Sequence, residues 1–247
     1  MFGYTRFLLA FLLPTSSVNR MTKMVAPHRD RKSEFINRVL VWGFENSPAF
    51  PWRRSRNPFD LLVAELLLRK TSRKQVATVY RKIMRTFPTC DKLSRADGTQ
   101  LVTLVRPLGM QRSRSKLLRA MATRLQREHK GIVPKDEQYL LKLPGVGKYI
   151  ASAVRCFSFG ESVPLVDTNV ARIIHRVFSI ETSTRPRDDK MLWDFAGALV
   201  PKRRAAEFNY ALLDFGAAIC RTKPLCQVCP LLTLCDYGIG HRFLQNS

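Results

Sequence analysis

Proline and glycine interrupt this chain so often that no element can run long. Turn signals fall at Pro48 and Pro51, Asn57-Pro58, Phe87-Pro88, Pro107 with Gly109, Gly131 to Pro134, Pro144 to Gly147, Gly160 to Pro164, Pro186 and Pro201. Between them the apolar residues recur with a helical period. Leu117, Leu118, Met121 and Leu125 form one stripe on a segment whose other faces are largely basic, and strand-like alternation is nearly absent. The expectation is an all-α fold of short helices. At 247 residues the chain can bury a substantial core, as one large domain or two small ones. No tandem repeat or low-complexity tract interrupts it.

Charge narrows the partners. Lys and Arg number 42 against 19 Asp and Glu, a net charge of +23. Residues 106–130 hold Arg106, Arg112, Arg114, Lys116, Arg119, Arg124, Arg127 and Lys130 against Glu128 alone, and PWRRSR adds a second cluster. Cations concentrated in this way bind phosphates by counterion release, although a solvated basic surface is the plainer alternative. A membrane partner is disfavoured, because no cationic segment shows a broad Trp/Phe-rich face. The run Phe7–Leu13 within MFGYTRFLLAFLLPTSS is too brief to span a bilayer and somewhat resembles a signal-peptide core. Export is disfavoured by the cysteine pattern, and Met21 and Met24 offer later starts; residues 1–30 are expected to form a loose extension.

Four of the six cysteines crowd into CRTKPLCQVCPLLTLC, as Cys220, Cys226, Cys229 and Cys235. Four thiolates at this spacing can converge on one centre, either a tetrahedral zinc or an iron–sulfur cluster. Two disulfides are the alternative, out of character for a large basic chain otherwise sparse in cysteine. Cys90 and Cys156 read as ordinary buried thiols.

Three further residues stand out. Glu65 lies in LLVAELLLRK, where its helical neighbours are Leu61, Leu62 and Leu68, so it is either a buried functional carboxylate or half of an i,i+4 pair with Arg69. Asp167 precedes the apolar-periodic run Val170, Ile173, Ile174, Val177 and reads first as a helix N-cap, which can also be a carboxylate aimed outward. LPGVGKYIA, residues 143–151, is a glycine-punctuated turn entering a helix over 148–157. It lacks the third glycine and preceding strand of a dinucleotide fingerprint, but its free N–H groups can hold one phosphate.

Taken in order, PWR, AELLLRKT, LPGVGKYIA, VDTNVARI, FNYALLDFGAAIC and the four cysteines resemble the helix-hairpin-helix DNA glycosylases of the endonuclease III superfamily, from about Pro51 to Cys235. The resemblance implies two helical domains flanking a DNA-binding cleft. One would be a six-helix barrel over 56–161 with the helix-hairpin-helix. The other would be a discontinuous domain of 31–55 and 162–238 holding a [4Fe-4S] cluster on the four cysteines. It departs from the family in the first cysteine gap, which is five residues where six is usual. It further implies a monomer inside the cell, acting on double-stranded DNA that carries a mismatched or damaged base.

By the same resemblance Tyr149 occupies the position where strand-nicking members carry a lysine that attacks the sugar. Lys148 is one residue early, a turn of about 100° on a helix. The implied activity is therefore monofunctional, with Asp167, Glu65 and Tyr149 catalytic. Gly145, Gly147, Lys148, Arg69, Lys70 and Asn169 are expected at the DNA, Asn169 either orienting Asp167 or its water or simply capping the helix. Tyrosine in LPGVGKY, the short C-terminus and LLLRKT favour thymine- or uracil-mismatch glycosylases over adenine glycosylases of the MutY type. A non-catalytic DNA-binding module is the remaining alternative.

Overall fold

Short-range chemistry sets several helix boundaries. The Asn57 side chain accepts from the Phe59 N–H, with Pro58 at the first helical position. Ser72 and Gln75 form a reciprocal capping box at the next start. The computed structural model describes residues 28–245 apart from Thr182 and Thr184, so the run Phe7–Leu13 and the rest of 1–27 lie outside the described residues. The helices are α1 (His28–Asn46), α2 (Pro58–Leu68), α3 (Arg73–Thr86), α4 (Cys90–Ser94), α5 (Gly98–Val105), α6 (Gln111–His129), α7 (Glu137–Leu141), α8 (Lys148–Phe157), α9 (Thr168–Phe178), α10 (Lys190–Leu199), α11 (Ala205–Ala218) and α12 (Asp236–Gln245). No strand occurs among the described residues, in line with the all-α expectation. No helix among them is long and apolar enough to cross a membrane.

The buried apolar side chains fall into two clusters. One gathers residues of α2 to α8 with Trp52, and the other residues of α1, α9, α10 and α11 with Leu231, Cys220 and Cys235. α2 is the spine of the first: Phe59 and every residue from Leu61 to Leu67 are buried, Glu65 included. In α6, Leu118, Met121 and Leu125 are buried as the stripe predicts. Arg114, counted with the surface cations in the sequence, is instead buried and caps the end of α2. Its guanidinium donates to the Leu67 carbonyl at 2.8 Å, the Arg69 carbonyl at 3.2 Å and Thr71 Oγ1 at 2.8 Å. The loop after α2 is thereby fixed, including Lys70 at φ 55°.

The two clusters meet where α11 packs against both α8 and α9, and α1 runs along α11. This last contact is close because position 43 has no side chain: a Cβ there would sit 2.3 Å from that of Ala211. Gly43→Val is therefore expected to force α1 off α11 and destabilise the fold by about 1–3 kcal/mol, read as a lowered melting midpoint by circular dichroism. An unchanged midpoint would show that this close approach is dispensable.

Candidate active site

Between the two clusters lies a cavity of about 580 Å³, walled by Glu65 from α2, Arg69 and Thr71 after it, Tyr149 from α8, Asp167 and Asn169 at the head of α9, and Tyr210 from α11. That volume takes a ligand of nucleotide size. Three sequence-expected catalytic residues, Glu65, Tyr149 and Asp167, are brought together here from three separate helices.

Glu65 is 6% exposed and accepts no hydrogen bond from a described residue. Nor does it pair with Arg69. Burial raises its pKa to about 7, opposed by the Arg53 charge and reinforced by Asp167. Tyr149 is held as a neutral phenol, its pKa pushed well above the usual value by burial and by the neighbouring carboxylates Glu65 and Asp167.

Asp167 is both the N-cap and a cavity residue. Its Oδ1 accepts from the backbone N–H groups of Asn169 and Val170 at 2.9 and 2.8 Å, and its Oδ2 accepts from Asn169 Nδ2 at 2.9 Å. Asn169 is itself held from behind, because Arg172 donates to Asn169 Oδ1 at 2.7 Å while its Nε reaches the Cys220 carbonyl at 2.8 Å. Hence the aspartate has one orientation, fixed by the helix start on one side and an amide on the other.

The PWRRSR cluster hides a residue that the charge count misreads. Arg53 makes a two-pronged ion pair with the buried Asp214, at 2.7 and 2.8 Å, and Arg73 bonds the same carboxylate. The Arg53 guanidinium lies 4.4 Å from the centre of the Tyr210 ring, which stacks on Phe157 at 3.7 Å. Arg53, Arg73 and Tyr210 all line the cavity and were missed as site residues. Asp214 in FNYALLDFG, an acid four residues from Tyr210 in a largely apolar stretch, is the signal that could have found them.

The hairpin stands beside this cavity. Gly145 has φ 79°, a left-handed backbone, and a Cβ there would lie 2.8 Å from Leu117 and 3.0 Å from Arg69 Nη1. Around Gly147, the N-cap of α8, there is open space, and no side chain covers the free N–H groups of the first turn. Neither glycine lines the cavity, nor do Lys70 and Lys148. The Lys148 ammonium sits 4.0 Å from the centre of the Trp193 ring.

Of the four clustered cysteines, Cys220 and Cys235 are buried and Cys226 and Cys229 half-buried, all as free thiols. Burial raises the pKa of Cys229 and Cys235, and the neighbouring cysteines of the group add to the rise. Arg176 and the Gly238 N–H point donors at the sulfurs of Cys220 and Cys235, 3.5 and 3.4 Å away. Among the described residues no three such side chains converge tightly enough for a single ion. Four thiols gathered within one C-terminal segment are a donor set that suits an iron–sulfur cluster as well as a tetrahedral zinc. Cys90 and Cys156 are buried thiols whose pKa values burial raises to about 11.

A hairpin opening α8 beside a cavity shared by two carboxylates defines a helix-hairpin-helix protein of the DNA-processing kind. Residues 63–195 match the family model described as HhH-GPD superfamily base excision DNA repair protein. The chain is 40% identical over 204 residues to a thymine/uracil-DNA glycosylase of Pyrobaculum aerophilum, covering 81% of this chain and 89% of that protein. It superposes on the structure of a thermostable thymine-DNA glycosylase with a TM-score of 0.82 at 31% identity, over 86% of this chain and 98% of the other. A non-covalent endonuclease III–DNA complex gives 0.71 at 25% identity, over 85% and 98%. The chain belongs to the HhH-GPD superfamily of base excision DNA repair proteins.

Glu65 makes fold stability depend on pH. Its unfolded pKa is 4.5 and its folded value about 7. The unfolded chain therefore releases this proton first as pH rises, and stability is lost between those values and stays low above them. Glu65→Gln removes the effect. The wild type should lose about 3 kcal/mol relative to the Gln variant between pH 4 and pH 8, measured by urea unfolding; a pH-independent difference would mean that Glu65 is solvated.

Proposed function

We propose that this chain is a monofunctional DNA glycosylase that hydrolyses the N-glycosidic bond of thymine or uracil mispaired with guanine and leaves an abasic site. One observation carries the reading: two carboxylates and a neutral phenol share the cavity, and among the described residues no lysine lines it. The amine needed for a Schiff base is absent there, and Lys148 is engaged on Trp193.

The substrate is double-stranded DNA. A thymine opposite guanine is poorly paired, so extruding it costs less than flipping a matched base. Inside the cavity Tyr149 and Tyr210 offer faces for stacking. Glu65, with a pKa of about 7, carries a proton in a large fraction of molecules near neutrality and can donate it to a carbonyl oxygen where charge builds as the base leaves. The electron pair of the C1′–N1 bond departs with the base. The cationic sugar that remains is stabilised by the Asp167 carboxylate, which also takes a proton from the water whose oxygen bonds to C1′. Asn169 keeps Asp167 aimed at that point.

Outside the cavity, the N–H groups at Gly145, Gly147 and Lys148 hold a backbone phosphate, while Arg69 on the cavity wall and Lys70 next to it, on the loop that Arg114 braces, occupy the gap left by the flipped base. Cys220, Cys226, Cys229 and Cys235 would hold a [4Fe-4S] cluster, which when bound would tie together the C-terminal segment that carries them. The two apolar clusters are read as the two domains of the family, 56–161 and 31–55 with 162–238.

Incubation with duplexes carrying T/G, U/G or A/8-oxoguanine, followed by alkali, tests the reading. Cleavage of the first two is expected; cleavage of the adenine substrate alone would overturn the base assignment, and cleavage of none would overturn the activity. Asp167→Asn keeps a good helix cap and should slow excision by about 10²–10⁴-fold. Borohydride should trap no adduct with the wild type but trap one with Tyr149→Lys.

A further inference from the structure

A second concavity borders the hairpin turn at Pro144, and the proposed mechanism does not use it. Its walls are the outer face of α6, the start of α5 at Gly98, and Pro144 of the hairpin turn. Arg112, Lys116, Arg119, Arg124 and Arg127 all line it. Their spacing places them along one side of the helix, opposite the buried stripe. Arg124 and Arg127 are neutralised in part by Glu128, at 2.8 and 2.6 Å. Arg112, Lys116 and Arg119 are exposed and form no ion pair or hydrogen bond with a described residue. The nearby Asp97 is the N-cap of α5 and does not line the groove, nor does it pair with any of these three cations.

Three unneutralised cations gathered in a groove repel one another. A chain folding only for stability gains nothing from that arrangement, whereas a polyanion gains the release of its counterions. The groove is also continuous with the phosphate-holding turn. Leu117 of α6 packs under Gly145, so the basic face and the hairpin move as one body. From Arg112 to Arg127 a helix rises about 22 Å, a length over which one strand presents about six phosphates when counted along the duplex axis.

We propose that this face of α6 is a DNA-backbone track that carries one flank of the duplex away from the flipped base, with Arg112, Lys116 and Arg119 as its principal phosphate contacts. It rests on the DNA-glycosylase reading but adds a sequence-independent grip that discriminates neither base nor mismatch. Its chemistry is that of charge alone, so lysine serves as well as arginine.

The test measures binding to a duplex carrying an uncleavable abasic analogue, as a function of salt, with the full chain. Three duplexes are compared: one with both arms long and one shortened on either side. For Arg112→Ala/Lys116→Ala/Arg119→Ala the slope of log K against log salt should fall by about 2 to 3, with affinity for the long duplex reduced roughly tenfold or more at low salt. One shortened duplex should bind wild type as weakly as the variant binds the long one, and should be indifferent to the substitutions. Arg112→Lys/Arg119→Lys should retain the wild-type slope. An unchanged slope, or equal losses on all three duplexes, would overturn the track. Cleavage of T/G with an unchanged slope defeats this proposal alone, while the absence of salt-dependent binding by wild type to any duplex defeats the DNA reading and the track together.

Discussion

The carboxylate of Asp214 is the contact on which the rest of the site is built. It lies at 3% exposure on α11 and binds Arg53 from the Pro51–Arg54 turn and Arg73 from α3. Removing one partner from such a buried group leaves an uncompensated charge, at a cost of about 3–5 kcal/mol. The interaction therefore welds the helix that belongs mainly to the second apolar cluster to two elements of the first. It also fixes Arg53 within electrostatic range of Glu65, where its positive charge counters part of the penalty of burial. Without that neighbour, a carboxylate set among leucines would stay protonated over a wider range of pH.

The two cavity carboxylates are made unlike by their surroundings. Asp167 has both oxygens satisfied, by two backbone N–H groups and one amide. Glu65 receives no such donors and is surrounded by apolar side chains. The same functional group thus sits in two environments, one hydrogen-bonded and fixed in orientation, the other apolar and without donors. Tyr149 lies under the influence of both and, with its pKa raised, remains a donor rather than an anion.

Local signals were legible wherever the chemistry is local. The helix over 148–157, the cap at Asp167, the apolar stripe of α6 and the glycine turn that precedes α8 follow from a few neighbouring residues, and the structure has each of them. Burial of Glu65 was readable because leucines flank it at helical spacing. Arginines were another matter. Arg53 and Arg114 look like their surface neighbours in sequence, since a cation's destination depends on which carbonyl or carboxylate a distant helix brings near. Asp214 lies 161 residues from Arg53, and Leu66 lies 48 from Arg114. Such pairings belong to the packing of helices, which periodicity does not encode. Similarly, the choice between Asn169 as cap and as orienting group depended on the reach of its amide to Asp167 Oδ2.

The parking of Lys148 over an indole ring bears on the fate of the product. Under the proposed activity, the abasic sugar opens to an aldehyde in a cavity that no lysine lines among the described residues, so the phosphodiester beside it would stay whole and the strand would be handed on with a hidden gap. Incision would then fall to a separate protein, and the time for which the abasic site stays sheltered would be set by the rate at which this one lets go.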